Sequence, residues 1–166
     1  MRPSNRLDVW IVPQSPTYTP KDKDIASFIQ RIAQLEMRSP VGSTAHGSGI
    51  QEYFGGFGHF RVVRETDVRF VANQQGGFRV FCNGENVTQP FTCAMKRWRA
   101  GGARSMVCSG SDTVYPLEAL EFRPDAAFYT FALHFSDVVH CNLGENAKVV
   151  IGELLGSSKL VFRRIG

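Results

Sequence analysis

Residues 8–36 read DVWIVPQSPTYTPKDKDIASFIQRIAQLE, and this stretch decides the fold class. Val9, Trp10, Ile11 and Val12 make a short apolar run that Pro13 ends, the pattern of a buried strand. Pro13, Pro16 and Pro20 then form a stiff connection. Thr19 can cap a helix, Pro20 suits its first position, and Asp22 has capping-box spacing. Ile25, Phe28, Ile29, Ile32 and Leu35 follow at helical spacing, so a helix is expected to about Glu36. A strand passes into a helix within one short segment.

The same alternation continues outward. Phe60 to Ala72 mixes β-branched and aromatic residues with arginines, which reads as one long strand or two with a break near Glu65. Phe78, Val80 and Cys82 alternate on one strand face. Thr88 to Arg99 is a second helix: Pro90 stands in its first turn, Phe91, Ala94, Met95 and Trp98 share a face, and Gly101-Gly102 stops it. Ser105 to Cys108 is a short strand, and Ala126 to Phe135 an apolar, central one. Ala147, Val150, Ile151 and Leu154 mark a third helix before Gly156, and Leu160 to Ile165 a last strand. With residues 76–122 set aside as an insert, the order is strand, helix, strand, strand, helix, strand. The expectation is an α+β fold, a ferredoxin-like antiparallel sheet (βαββαβ) carrying an inserted subdomain.

The 166 residues correspond to about one domain. Apolar residues are 43% and charged residues 20%, which excludes a disordered chain, a collagen-like chain and a coiled coil. No apolar run approaches the ~18–20 residues of a membrane span. Arg2 and Arg6 precede no apolar stretch of signal-peptide kind, so a cytoplasmic setting with reduced thiols is expected. The four cysteines, Cys82, Cys93, Cys108 and Cys141, are too scattered for a disulfide framework, and Asn86-Val87-Thr88 is read as a chance glycosylation triplet. The net charge of +4 is mild. Its densest part is Lys96, Arg97, Arg99 and Arg104, which suits an acidic protein partner as well as nucleic acid.

Cys82-Asn83-Gly84-Glu85 and Cys108-Ser109-Gly110-Ser111 have the outline of two zinc knuckles, with Glu85 and Ser111 where the second thiolates would stand. Between them lies Met95-Lys96-Arg97-Trp98-Arg99-Ala100-Gly101-Gly102. This region resembles a group of small, functionally uncharacterised bacterial proteins with a zinc-ribbon insert, in which two Cys-x-x-Cys-Gly turns flank a short helix ending in Trp and glycines. The resemblance implies a zinc-ribbon-like subdomain in which Cys82 and Cys108 are vestigial ligand positions. Neither a bound metal nor any other cofactor is expected, and the insert is held by Phe91, Met95 and Trp98, with Cys82 and Cys108 as nearby buried thiols.

Catalytic signatures are few. Gly42 and Gly47 have P-loop spacing, but Ser48 and Gly49 replace the lysine and the hydroxyl residue. Gly47-Ser48-Gly49 starts a dinucleotide pattern that Glu52 ends. Gly56-Phe57-Gly58 matches part of an RNA-binding strand signature, with His59 in place of an aromatic. His134, Asp137, His140 and Cys141 crowd one segment, and a turn at Ser136-Asp137 would gather them into a His/Asp-dependent site. The expected function is a non-enzymatic, cytoplasmic protein-binding module, specifically a toxin-neutralising immunity protein. Its surface would comprise the Gly47–Phe57 loop with Phe57 and His59, together with Lys96, Arg97, Arg99 and Arg104. The alternatives are a nucleic-acid-binding protein using the basic insert and a His/Asp enzyme.

Overall fold

The computed structural model describes residues 6–38, 49–73, 77–108 and 112–165. In chain order it contains β1 (Arg6–Pro13), α1 (Asp22–Arg38), β2 (His59–Ala72), β3 (Arg79–Cys82), β4 (Glu85–Asn86), α2 (Thr88–Arg99) and β5 (Ser105–Val107). There follow β6 (Val114–Pro116), β7 (Glu121–Arg123), β8 (Ala126–Ser136), α3 (Glu145–Leu155) and β9 (Ser158–Ile165). Single 3-10 turns lie at Ile50–Glu52 and Leu117–Ala119. The protein is mixed α and β, with antiparallel strand pairing. Two units are distinguished: residues 1–71 with 127–166, and residues 72–126.

The first unit is built on a four-stranded sheet in the order β2-β8-β1-β9. β1 is central and antiparallel to both neighbours, with Trp10 opposite His134 and Val161, and Asp8 opposite Arg163. Strand alternation divides the side chains between two faces. Val9, Ile11, Phe131, Leu133 and Phe135 pack with Ile25, Phe28 and Ile32 of α1 and with Ala147, Ile151, Leu154 and Leu155 of α3. The opposite face holds Trp10, Val12, Ala132 and Val161.

β2 is one strand through Glu65, which resolves the two readings of that segment. α1 begins at Asp22 rather than Pro20, because the Lys21 carbonyl accepts the N–H groups of Asp24 and Ile25. The Gln74–Gly76 part of the expected turn, and Ser109 to Ser111 of the second knuckle, lie outside the described residues, as do Gly42, Gly47 and Ser48.

In the second unit β3 runs between β4 and β7, and β5 pairs with β6. α2 spans the expected Thr88–Arg99, and Phe91, Ala94 and Met95 are buried. Asn86 closes a turn just before it: Oδ1 accepts the Thr88 N–H at 3.0 Å and the Thr88 hydroxyl at 2.7 Å. Asn83 and Gly84 have φ of 51° and 83°, as a two-residue type I′ hairpin requires, and Cys82 faces Glu85 across the turn. Glu85 is thus a ladder residue. The expectation of two separate thiols at Cys82 and Cys108 is corrected: both are buried and joined in a disulfide, with Cα atoms 6.4 Å apart. Two small hydrophobic residues driven into one core met at bonding distance, which sequence spacing does not reveal.

Candidate functional site

The last turn of α2 carries Lys96, Arg97 and Arg99, all exposed and none in an ion pair among the described residues. The helix ends in a Schellman motif. Gly102 N–H bonds the Arg97 carbonyl at 2.9 Å, and Gly101 N–H bonds that of Trp98 at 3.0 Å. Gly101 has φ of 101°, and a Cβ at Gly102 would lie 2.9 Å from the Arg97 carbonyl oxygen, so both glycines are required. The cap fixes the helix end and hence where the three cations stand. These cations also complement the helix macrodipole, each by about 0.3–1 kcal/mol.

Arg104 is engaged otherwise. Its Nε donates to Glu118 at 3.1 Å, and its guanidinium lies 5.9 Å from the centre of the Trp98 ring. It braces the helix end against the 3-10 turn that carries Glu118. On the β5–β6 hairpin, Val107 and Val114 pair directly and are 53% and 61% exposed, an apolar pair open to solvent within the same unit.

Phe57 and His59 belong to the first unit and are placed differently from each other. Phe57 is half-buried and packs against the core, its ring 4.9 Å from that of Phe135 and edge-on to it. His59 is exposed at the start of β2, where its carbonyl accepts the Ser136 hydroxyl. The segment before them folds tightly on residues 138–140. Phe54, Gly55 and Gly56 all have positive φ, the Phe54 carbonyl accepts Val139 and His140 N–H groups, and a Cβ on Gly55 would lie 2.6 Å from the His140 ring. The glycines here serve close packing.

The His134, Asp137 and His140 grouping is not assembled as a catalytic set. His140 Nδ1 accepts the Asn142 N–H, whereas His134 bonds Asp8 and Arg61. Asp137, with φ of 54°, ends β8 and gives its backbone N–H to Asp8 Oδ1 at 3.1 Å. Among the described residues no three His, Cys, Asp or Glu side chains could hold a metal ion together.

Sequence reading missed Asp8, and it saw no link between Arg61 and His134. Asp8 is fully buried and His134 nearly so. Asp8 Oδ2 lies 2.9 Å from His134 Nε2, and Oδ1 accepts Arg6 Nε at 3.0 Å. Arg61 Nε donates to His134 Nδ1 at 2.9 Å, and the Trp10 ring stacks on the imidazole at 4.2 Å. Burial alone would raise the Asp8 pKa, but the N–H of Asp137, the His134 hydrogen bond and Arg6 together hold it below 3.8. For His134, burial together with the Arg61 and Arg6 charges outweighs Asp8 and lowers the pKa below 6.5.

A cleft of about 280 Å³ lies between α1 and α3, lined by Arg31, Leu35, Glu52, Tyr53, Ala147 and Val150. Burial, with Glu52 adding to it, pushes the Tyr53 hydroxyl up to about 12 against the pull of Arg31. That hydroxyl is therefore protonated at neutral pH. The chain matches no protein-family model, no curated protein and no solved structure.

Proposed function

We propose that the chain is a non-enzymatic protein-binding module, and that it docks an acidic protein on the end of α2. The observation that carries this reading is the set of three exposed cations, Lys96, Arg97 and Arg99, held by a rigid helix cap with no carboxylate answering them among the described residues. Val107 and Val114 supply an apolar element in the same unit, which favours a protein partner over a phosphate backbone. Neutralising a toxin is the specific role we assign to this docking.

The strand order β2-β8-β1-β9 with two helices on one face supports a ferredoxin-like reading of the first unit. The second unit is read as a zinc-ribbon-like insert in which a disulfide stands in place of the metal. The Asn83-Gly84 turn beside Cys82 supports that reading.

The test is native mass spectrometry of the protein from its host, wild type beside the K96E/R97E/R99E variant, with unfolding curves to confirm the fold. An acidic partner bound by wild type and lost from the variant is expected. A partner kept by the variant overturns the assignment of the surface. Nucleic acid is the second reading. Duplex DNA bound with a log-affinity slope of about −2.7 against log salt, the value for three phosphates, would replace the protein partner.

A further inference from the structure

Asp8, His134 and Arg61 form a chain of fixed polarity across three strands of the main sheet. The Asp8 carboxylate only accepts, so His134 Nε2 carries the proton. His134 Nδ1 then has a free lone pair, and it accepts from Arg61 Nε. Trp10 stacked on the imidazole prevents the ring from tilting. Asp8 and His134 are buried, whereas Arg61 at the end of the relay is exposed. Arg61 has no ion-pair partner among the described residues.

A buried carboxylate and imidazole add little stability that apolar side chains would not give. What they do here is orient one exposed guanidinium through its Nε, leaving the terminal nitrogens for a ligand. A second cation stands at the other edge of the sheet, with β8 and β1 between its strand and that of Arg61. Arg163 stands opposite Asp8 on β9 and is exposed. Asp8 is engaged by Arg6, His134 and the Asp137 N–H, and Arg69 by Glu65. Arg61, Arg69 and Arg163 all act on the buried Tyr129 hydroxyl, which burial and Glu65 push up, so their positive field reaches that face of the sheet.

We infer that the sheet face opposite the helices is an oxyanion-binding site for a carboxylate or phosphate group, with Arg61 as its oriented fork and Arg163 adding only to the positive field of that face. His134 and Asp8 are positioning residues. The site is independent of the α2 surface, so either can fail without the other.

The experiment titrates the full chain with inorganic phosphate in one arm and succinate in the other, at constant ionic strength. It follows the arginine Nε–H resonances by nitrogen-15 NMR. A saturable shift of the Arg61 signal with one anion is expected, and the responding arm identifies the ligand class. Arg61→Gln and Arg61→Lys should each weaken binding about tenfold or more, because lysine keeps the charge but lacks the fork. Arg164→Gln, an exposed cation on β9 outside the relay, should change it less than about twofold. His134→Gln should weaken binding and speed solvent exchange of the Arg61 Nε–H while the unfolding midpoint shows a folded protein. No saturable shift with either anion to about 20 mM, a level typical of non-specific ion association, overturns the site. Equal affinity of Arg61→Lys and wild type overturns the oriented fork.

Discussion

Removing the Cys82–Cys108 bond tests how the 72–126 unit is held together. The cysteines are separated by 26 positions, and the closed loop contains the whole of α2. The chain-entropy model gives about 3.5 kcal/mol for a loop of that length. A unit this small builds only a modest core, so a loss of that size is a large part of its stability. The perturbation is the double variant Cys82→Ala/Cys108→Ala. The two tryptophans make the assay selective, because Trp10 lies in the first unit and Trp98 in the second. Urea unfolding is followed by Trp98 fluorescence in a Trp10→Phe background and by Trp10 fluorescence in a Trp98→Phe background. At a slope of about 1–2 kcal/mol per molar urea, the Trp98 midpoint should fall by about 2–3.5 M. The Trp10 midpoint should move far less. A Trp98 shift below about 0.5 kcal/mol, the size expected from altered surface contacts alone, refutes the staple.

Three further outcomes follow from the same geometry. Lowered folded-state pKa values at His134 and Asp8 both favour the higher-pH form, so stability of the first unit is complete above pH 6.5. It should fall as pH drops below 6.5 through His134 and again below 3.8 through Asp8, seen as a declining Trp10 unfolding midpoint that His134→Gln flattens in the upper range. Asp8→Ala strands the His134 and Asp137 N–H groups and should cost about 2–4 kcal/mol in urea unfolding, against less than about 1 kcal/mol for exposed Asp67→Ala. Gly101→Ala forces a side chain into positive φ and should lower the Trp98-reported stability by about 1–2 kcal/mol, whereas Gly77→Ala, with positive φ but no α-helix end to cap, reports the backbone term alone.

Long periodic segments were legible. Thr88–Arg99 is legible at both ends, because Pro90 in the first turn and a Gly-Gly stop enclose a clear apolar stripe. β4, β6 and β7 were not legible, since strands of two or three residues have no period and exist only through their partners. The Asn83-Gly84 pair was a readable hairpin signal, but the neighbouring cysteine drew it toward a metal knuckle. The Asp8–His134 and Arg61–His134 contacts join residues 126 and 73 positions apart, and no spacing motif carries such information. Asp8 in sequence only interrupts an apolar run. The sheet supplies its meaning, by bringing β1 beside β8.

The insertion point of the 72–126 unit governs the order in which the molecule can form. β8 joins β2 to β1 in the main sheet, yet the chain reaches it only after the whole insert has been made. During synthesis α1 and β1 therefore wait with their apolar faces uncovered, while the insert has all its own strands and its helix available first. Closing the sheet across an unstructured insert would carry the entropy of a long loop, and a folded, cross-linked insert lowers it by tying Ala72 and Ala126 to a compact body. The second-made part of the protein can thus fold first, while β8, an inner strand of the main sheet, is among the last segments to be made.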